Sequence, residues 1–215
     1  MPGAIINTNE KQECIYMGQM IYFDMYRREE GDTMCKVLEK IHNKTAEELL
    51  KEYDVYDSLP IDLEKLVTSI GLSVLPVDFT LLEEALNKKD ILGLVLTSGN
   101  DAAIFYRKTD SVNRKRFTIA HELAHCCHLD PATTEPHIEY RIDEDKKDEF
   151  ERKMDIFAGE LLIPFKKLKE VNMSLEIPAS AVLAKIFNVS VSVMEARLNY
   201  LKISHYNNKG IPVTY

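Results

Sequence analysis

No stretch of this chain is apolar for long enough to cross a bilayer. The longest aliphatic run, Ile91 to Leu96, has a glycine inside it and falls far short of the roughly 20 residues a membrane helix needs. The opening residues, Met1-Pro2-Gly3-Ala4-Ile5-Ile6-Asn7-Thr8-Asn9-Glu10, are interrupted by polar side chains before any apolar leader develops. The expected compartment is the cytoplasm, with no membrane partner. Cysteine is scarce: Cys126 and Cys127 are adjacent inside an apparent helix, and Cys14 and Cys35 have no disulfide-framework spacing, so reduced thiols are expected. Internal repeats and low-complexity tracts are missing as well, which excludes solenoids and disordered linkers.

What is present is ordinary globular material. The 215 residues are 45% hydrophobic and 29% charged, enough to bury a core without help. The net charge of −8 is unevenly spread, because residues 165–215 carry seven basic side chains against three acidic ones. That excess favours nucleic acid only weakly, since phosphate contacts call for a denser basic surface.

Periodicity divides the chain into three stretches: an N-terminal extension over 1–59, a central domain over 60–170 and a C-terminal helical region over 171–215. In the first, Val37, Leu38, Ile41, Leu49 and Leu50 predict a helix within Met34–Tyr53, while residues 1–33 carry no usable period. In the second, a helix over Ile61–Ile70 is stopped by Gly71 and followed by a strand over Leu72–Val77 and a helix over Leu81–Leu86. Strands over Ile91–Thr97 and Ala102–Tyr106 are joined by Ser98-Gly99-Asn100-Asp101, which is hairpin chemistry. A helix capped by Ser111 or Asn113 then runs to about Leu129-Asp130-Pro131, and another runs from near Asp143 to Leu162, ended by Ile163-Pro164. The predicted class is α+β, with a small antiparallel or mixed sheet packed on the first of these two helices.

That helix carries His121-Glu122-Leu123-Ala124-His125. Positions 121 and 125 differ by about 40° around a helix and roughly 6 Å along it, so both imidazoles can reach one ion. Zinc is the expected cofactor: it takes neutral imidazoles, keeps a position open for water and lowers that water's pKa to about 7. Glu122 borders the same face, where it can take the water's proton. Candidates for a third ligand are His128, Glu135, His137, Glu139 and the carboxylates from Asp143 to Asp155. His128 sits roughly 10 Å along the axis from His121, too far to share an ion with both motif histidines. On the second helix, Phe150, Met154, Phe157, Ala158, Leu161 and Leu162 form an apolar arc with Glu151 inside it. A carboxylate there is costly without a cation. One turn later, Asp155 can accept the outer N–H of a ligating imidazole and fix its tautomer.

The block Arg116-Phe117-Thr118-Ile119-Ala120-His121-Glu122-Leu123-Ala124-His125 resembles the first motif of the ImmA/IrrE family of zincin-like metallopeptidases. The segment from Glu151 through Asp155, Phe157 and Ala158 to Leu161, Leu162 and Pro164 resembles its second. The resemblance implies His121, His125 and Glu151 as metal ligands and Glu122 as the catalytic acid/base. Ala124, Met154 and Asp155 stand where the family usually has Gly, Ala and Asn, and none of these departures removes a ligand. Asp155 gives a Glu-x-x-x-Asp arrangement similar to that of gluzincins. The resemblance further implies a repressor-type, DNA-binding protein as substrate, and some relatives carry a helix-turn-helix after the peptidase-like region. Here Ser180 to Leu201 resembles such a unit, with a turn at Asn188-Val189-Ser190.

Two functions are therefore expected to compete. One is a zinc-dependent, site-specific endopeptidase, its substrate aligned by edge pairing on the strand at Ala102–Tyr106. The other is a regulatory, DNA-binding protein working through Ser180–Leu201, with the zincin region as sensor or scaffold. The N-terminal extension is expected to pack on the domain; a reading in which Cys14 or Cys35 offers a thiolate to the zinc competes with that.

Overall fold

The structure, a computed structural model, describes residues 34–87, 89–132, 137–140 and 148–215. Cys14, Glu135 and Asp143 lie outside the described residues.

The helix expected over Met34–Tyr53 is two, α1 (Lys36–Ile41) and α2 (Ala46–Glu52). The break is local chemistry. Asn43 takes the left-handed region at φ 59°, and Thr45 then starts a new helix with a capping box, its hydroxyl accepting from Glu48 N–H while the Glu48 carboxylate accepts from Thr45 N–H. Both helices bury an apolar stripe: Val37, Leu38 and Ile41 from α1, Leu49 and Leu50 from α2. Helix α3 (Leu63–Ile70) is capped by Asp62 and stopped by Gly71 at φ 95°, where only glycine is unstrained.

Strands β1 (Ser73–Val77), β2 (Ile91–Ser98), β3 (Asp101–Arg107) and β4 (His137–Tyr140) form one mixed sheet in the order β1-β3-β2-β4, and α4 (Thr80–Leu86) connects the first two. β1 runs parallel to β3, while β2 is antiparallel to both β3 and β4. The strand expected to present a free edge, Ala102–Tyr106, is therefore interior, with Ile104 opposite Val74 on one side and Val95 on the other. Its backbone groups are spent on two ladders, so edge pairing cannot occur there. Among the described residues the edges are β1 and β4.

Strand alternation sorts the sheet's two faces. Val95 and Ile104 point into the main core with the following helix, whereas Leu94 and Phe105 join Val77, Phe79 and Ile91 in a smaller cluster on the opposite side. Helix α5 (Val112–His128), capped by Ser111, lies on the first face and packs along α6 (Glu149–Leu162). After Pro164 come α7 (Phe165–Ser174), α8 (Ser180–Phe187), α9 (Val191–Tyr200) and a short hairpin of β5 (His205–Tyr206) and β6 (Pro212–Val213).

A single apolar cluster runs from Leu38 and Ile41 through Leu123 and Cys126 to Leu161, Phe187 and Leu198. Helices from both ends of the chain thus share a core with the central helices. Arg116 fastens this arrangement: its Nε donates to the Asn188 carbonyl at 3.2 Å and its Nη2 to that of Ile61 at 2.9 Å. The turn at Asn188-Val189-Ser190 is formed as expected, with Asn188 left-handed at φ 52° and Ser190 capping α9. No helix among the described residues is long and apolar enough to cross a membrane.

Candidate metal centre

Helix α5 is buried along the motif, with His125 and Glu122 at 0% exposure and His121 at 5%. The helical spacing expected from the sequence brings the two imidazoles together, His121 Nε2 to His125 Nε2 at 3.1 Å. From α6, Glu151 Oε2 lies 3.3 Å from His121 Nε2 and 3.5 Å from His125 Nε2. Three lone-pair atoms therefore converge on one point. Zinc bonds of about 2.0–2.2 Å at tetrahedral angles set neighbouring ligand atoms about 3.3–3.6 Å apart; two edges of the observed triangle, 3.3 and 3.5 Å, fall in that range and the third, 3.1 Å, is slightly shorter. His121, His125 and Glu151 fit a metal ion.

Asp155 occupies the place one turn beyond Glu151, with Oδ1 3.0 Å from His121 Nδ1. The Nδ1–H donates to that carboxylate, which leaves the Nε2 lone pair for an ion. The charges reflect the crowding. Burial opposes charge on His121, yet the hydrogen bonds of Asp155 and Glu151 and the nearby Glu122 outweigh it and push its pKa up to about 10. Hydrogen bonds with His121 and His125 hold Glu151 well below the usual carboxylate range against the cost of burial. Burial pulls His125 below its ordinary value. The carboxylates around His121 thus favour positive charge at this point.

Glu122 lies against the sheet while remaining close enough to His121 to favour charge on its ring. Gly93 of β2 is its seat: a Cβ added there would fall 2.0 Å from Glu122 Oε1, 2.6 Å from Cδ and 2.8 Å from Cγ. The carboxylate lies against bare strand backbone, beside the irregular pairing of β2 with β4 between Ile91 and Gly93. The aliphatic run containing Gly93 was visible in the sequence, but its function was not. A glycine interrupting a strand marks close backbone approach or a bulge, and that signal was there to be used.

The other candidates fall outside the triangle. His137 on β4 stacks on His125, ring centroids 3.8 Å apart, and burial, with His125 beside it, drives its pKa down to about 4. His128 is exposed and donates from Nδ1 to the Ala124 carbonyl at 2.8 Å. Asp148 caps α6 through Glu151 N–H, and Glu149 pairs with Lys153 in solvent. Asp143, Glu144, Asp145 and Glu135 lie outside the described residues, as does the side chain of Glu139. Cys35 is buried with its thiol toward the carbonyls of Asn100 and Asp101, so it offers nothing to the centre.

Residues 77–199, more than half of the chain, match Peptidase M78, the IrrE N-terminal-like domain. The chain belongs to the peptidase M78 family. Both sequence blocks that resemble ImmA/IrrE proteins lie inside the matched span. Membership of M78 makes the protein a metallopeptidase by family, and His121, His125 and Glu151 are the group in it that can hold the metal. A comparison with curated proteins finds no match. The M78 match continues past residue 170 through α8 and nearly all of α9, whose apolar residues Leu183, Phe187, Met194 and Leu198 belong to the main core.

Proposed function

We propose that this M78 protein is a zinc-dependent endopeptidase that cleaves a repressor-type DNA-binding protein at a specific site, with His121, His125 and Glu151 as zinc ligands and Glu122 as acid/base. The observation carrying the proposal is the ligand triangle of His121, His125 and Glu151, with the fully buried carboxylate of Glu122 next to His121 on the same helix. A bound zinc ion supplies Lewis acidity, polarising a scissile carbonyl and acidifying a water. Glu122 takes the proton from that water and returns it to the departing amine. Asp155 holds the His121 ring in one tautomer through Nδ1. Gly93 keeps the Glu122 carboxylate at the sheet surface, and the walls of β2 and β4 limit water around it. Since β3 is interior, an extended substrate adds instead to β4, where His137 already stands against His125.

Support for the repressor as substrate comes from the ImmA/IrrE resemblance, and the cytoplasmic compartment follows from a DNA-bound target. The competing reading, DNA binding through Ser180–Leu201, has the formed turn at Asn188 in its favour. One preparation decides between them. Metal-loaded protein is incubated with a repressor encoded beside its gene, and the same sample is run in a gel shift with that repressor's operator DNA. Cleavage at one bond, absent after chelation, is the expected result. A shift of the DNA by this protein with the repressor left intact would overturn the proposal in favour of the DNA-binding reading.

A further inference from the structure

Two stripes lead away from the metal centre in the same direction. On α5 the residue one turn before His121 is Phe117, its ring 6.3 Å from the imidazole. On α6 the residues one and two turns beyond Glu151 are Asp155 and Gly159. All three line a cavity of about 500 Å³, within the usual size range of ligand pockets, whose far wall is α9 through Val193, Ala196 and Tyr200. On the opposite flank of the centre the rings of His137 and Phe150 stand against His125. This cavity gives a substrate side chain beside the scissile bond room, and helix neighbours one turn apart are separated by only about 5–6 Å, well within reach of such a side chain.

We propose that this cavity is the specificity subsite of the peptidase, receiving a large apolar side chain, leucine-like or phenylalanine-like, from the residue next to the cleaved bond, with α9 as its selecting wall. The inference rests on the peptidase reading above. Phe117, Ile156, Val193, Ala196 and Tyr200 give an apolar lining. The buried guanidinium of Arg197 already has an acidic neighbour: Glu160 lies 3.6 Å from its Nη1 as an ion pair without a hydrogen bond, and its Nε donates to the Ile163 carbonyl. Room depends on two small residues. Ala196 is on the α9 wall, and at Gly159 a Cβ would sit 3.7 Å from Arg197 Cδ, an ordinary contact that narrows the cavity without a clash. On this assignment the second helix of the helix-turn-helix-like unit faces substrate.

The test uses the zinc-loaded full chain and a proteome-derived peptide library, with cleavage sites read by mass spectrometry. The parent is expected to favour Leu, Met or Phe at one position flanking the cut. Ala196→Trp should shift that preference at least tenfold toward Ala and Gly, and Gly159→Ala, which keeps the helix, should shift it in the same direction by less. Zinc stoichiometry and thermal melts report that both variants are folded. A second readout needs neither metal nor turnover: N-acetyl-4-fluorophenylalanine amide, followed by fluorine NMR, should bind the parent saturably and Ala196→Trp at least tenfold more weakly. If the parent cleaves peptides but the variants leave the profile unmoved, or the preferred residue is acidic, the subsite assignment is overturned while the peptidase reading stands. If the parent cleaves nothing, both fall, and retained binding of the fluorinated amide then marks the cavity as an apolar ligand site of another kind.

Discussion

Replacing Gly93 by alanine probes the close approach of the Glu122 side chain to the sheet. The added methyl carbon would lie 2.0 Å from Glu122 Oε1 and 2.8 Å from Glu122 Cγ, distances that real contacts essentially never show. Glu122 is fully buried, so its side chain has no solvent to swing into. Either the carboxylate rotates off the strand or β2 moves away from α5, and inserting a methyl into a packed interior of this kind costs about 1–3 kcal/mol. Gly93 does not have a positive φ among the described residues, so the backbone itself accepts alanine and the cost is steric. The ligand triangle is not touched. Zinc stoichiometry is therefore expected to stay at the parent value while cleavage falls roughly 100- to 10,000-fold, the range expected for losing a positioned proton-transfer group. A double-mutant cycle makes the argument specific. Glu122→Ala removes Cγ, Cδ and both oxygens, so in that background Gly93→Ala should lose most of its destabilisation in urea melts. Parent-like cleavage by Gly93→Ala, or an undiminished stability penalty in the Glu122→Ala background, would refute the reasoning.

Four further outcomes are expected. Glu122→Gln should retain zinc and lose cleavage, and turnover at the parent rate would remove Glu122 from the mechanism. Glu151→Ala should weaken zinc binding strongly in a competition titration, whereas Glu149→Ala, on the solvent side about 160° away around the helix, should leave it unchanged; loss of zinc from His137→Ala with Glu151→Ala unaffected would move the third ligand to β4. Asp155→Ala should cost roughly 10–100-fold in zinc affinity, with Asp155→Asn recovering part of it because the amide oxygen still accepts from His121 Nδ1; equal affinity in all three proteins would refute that role. In the metal-free protein, His121 has its pKa raised to about 10, so its stabilising contribution is complete below its ordinary value of 6.5 and is lost as pH rises through 10. Zinc must displace that proton, so apparent affinity should rise about tenfold per pH unit between pH 7 and 9, and a flat profile in that window would show that His121 is already neutral.

Much of the centre was legible because it is written in helical spacing. His121, His125 and Glu122 need only one helix to be placed, and Glu151 and Asp155 need only a second with a clear apolar arc. Relations between strands were less legible. The run Ala102–Tyr106 reads as a strand from its own residues, but whether it has a free edge depends on β1 pairing beside it, a parallel partnership separated by a helix and another strand. The break between α1 and α2 was written locally, in Asn43 and the Thr45–Glu48 box, and was overridden by the apolar spacing that continues across it. His137 illustrates a third kind of difficulty. Its side chain is polar and its segment short, so periodicity says nothing, and only the pairing of Val95 with His137 across β2 and β4 carries the ring to His125.

Gly93 ties these cases together. A methyl at that position would meet the Glu122 carboxylate from a helix that begins 19 residues later in the chain. In one dimension the glycine is a weakness in an aliphatic strand; in three it is the gap that lets the helix and sheet close to contact distance with a charged side chain between them. Burying a carboxylate on the helix face that meets the sheet is costly, since a desolvated charge costs several kcal/mol unless it is paired. Glu122 is at 0% exposure and directly follows His121 on the helix, the kind of buried position at which functional groups cluster. Glu122→Leu, which removes both carboxylate oxygens, should therefore abolish cleavage while zinc stoichiometry stays at the parent value; cleavage at the parent rate would show that the buried carboxylate serves packing and that the catalytic reading of its burial is mistaken.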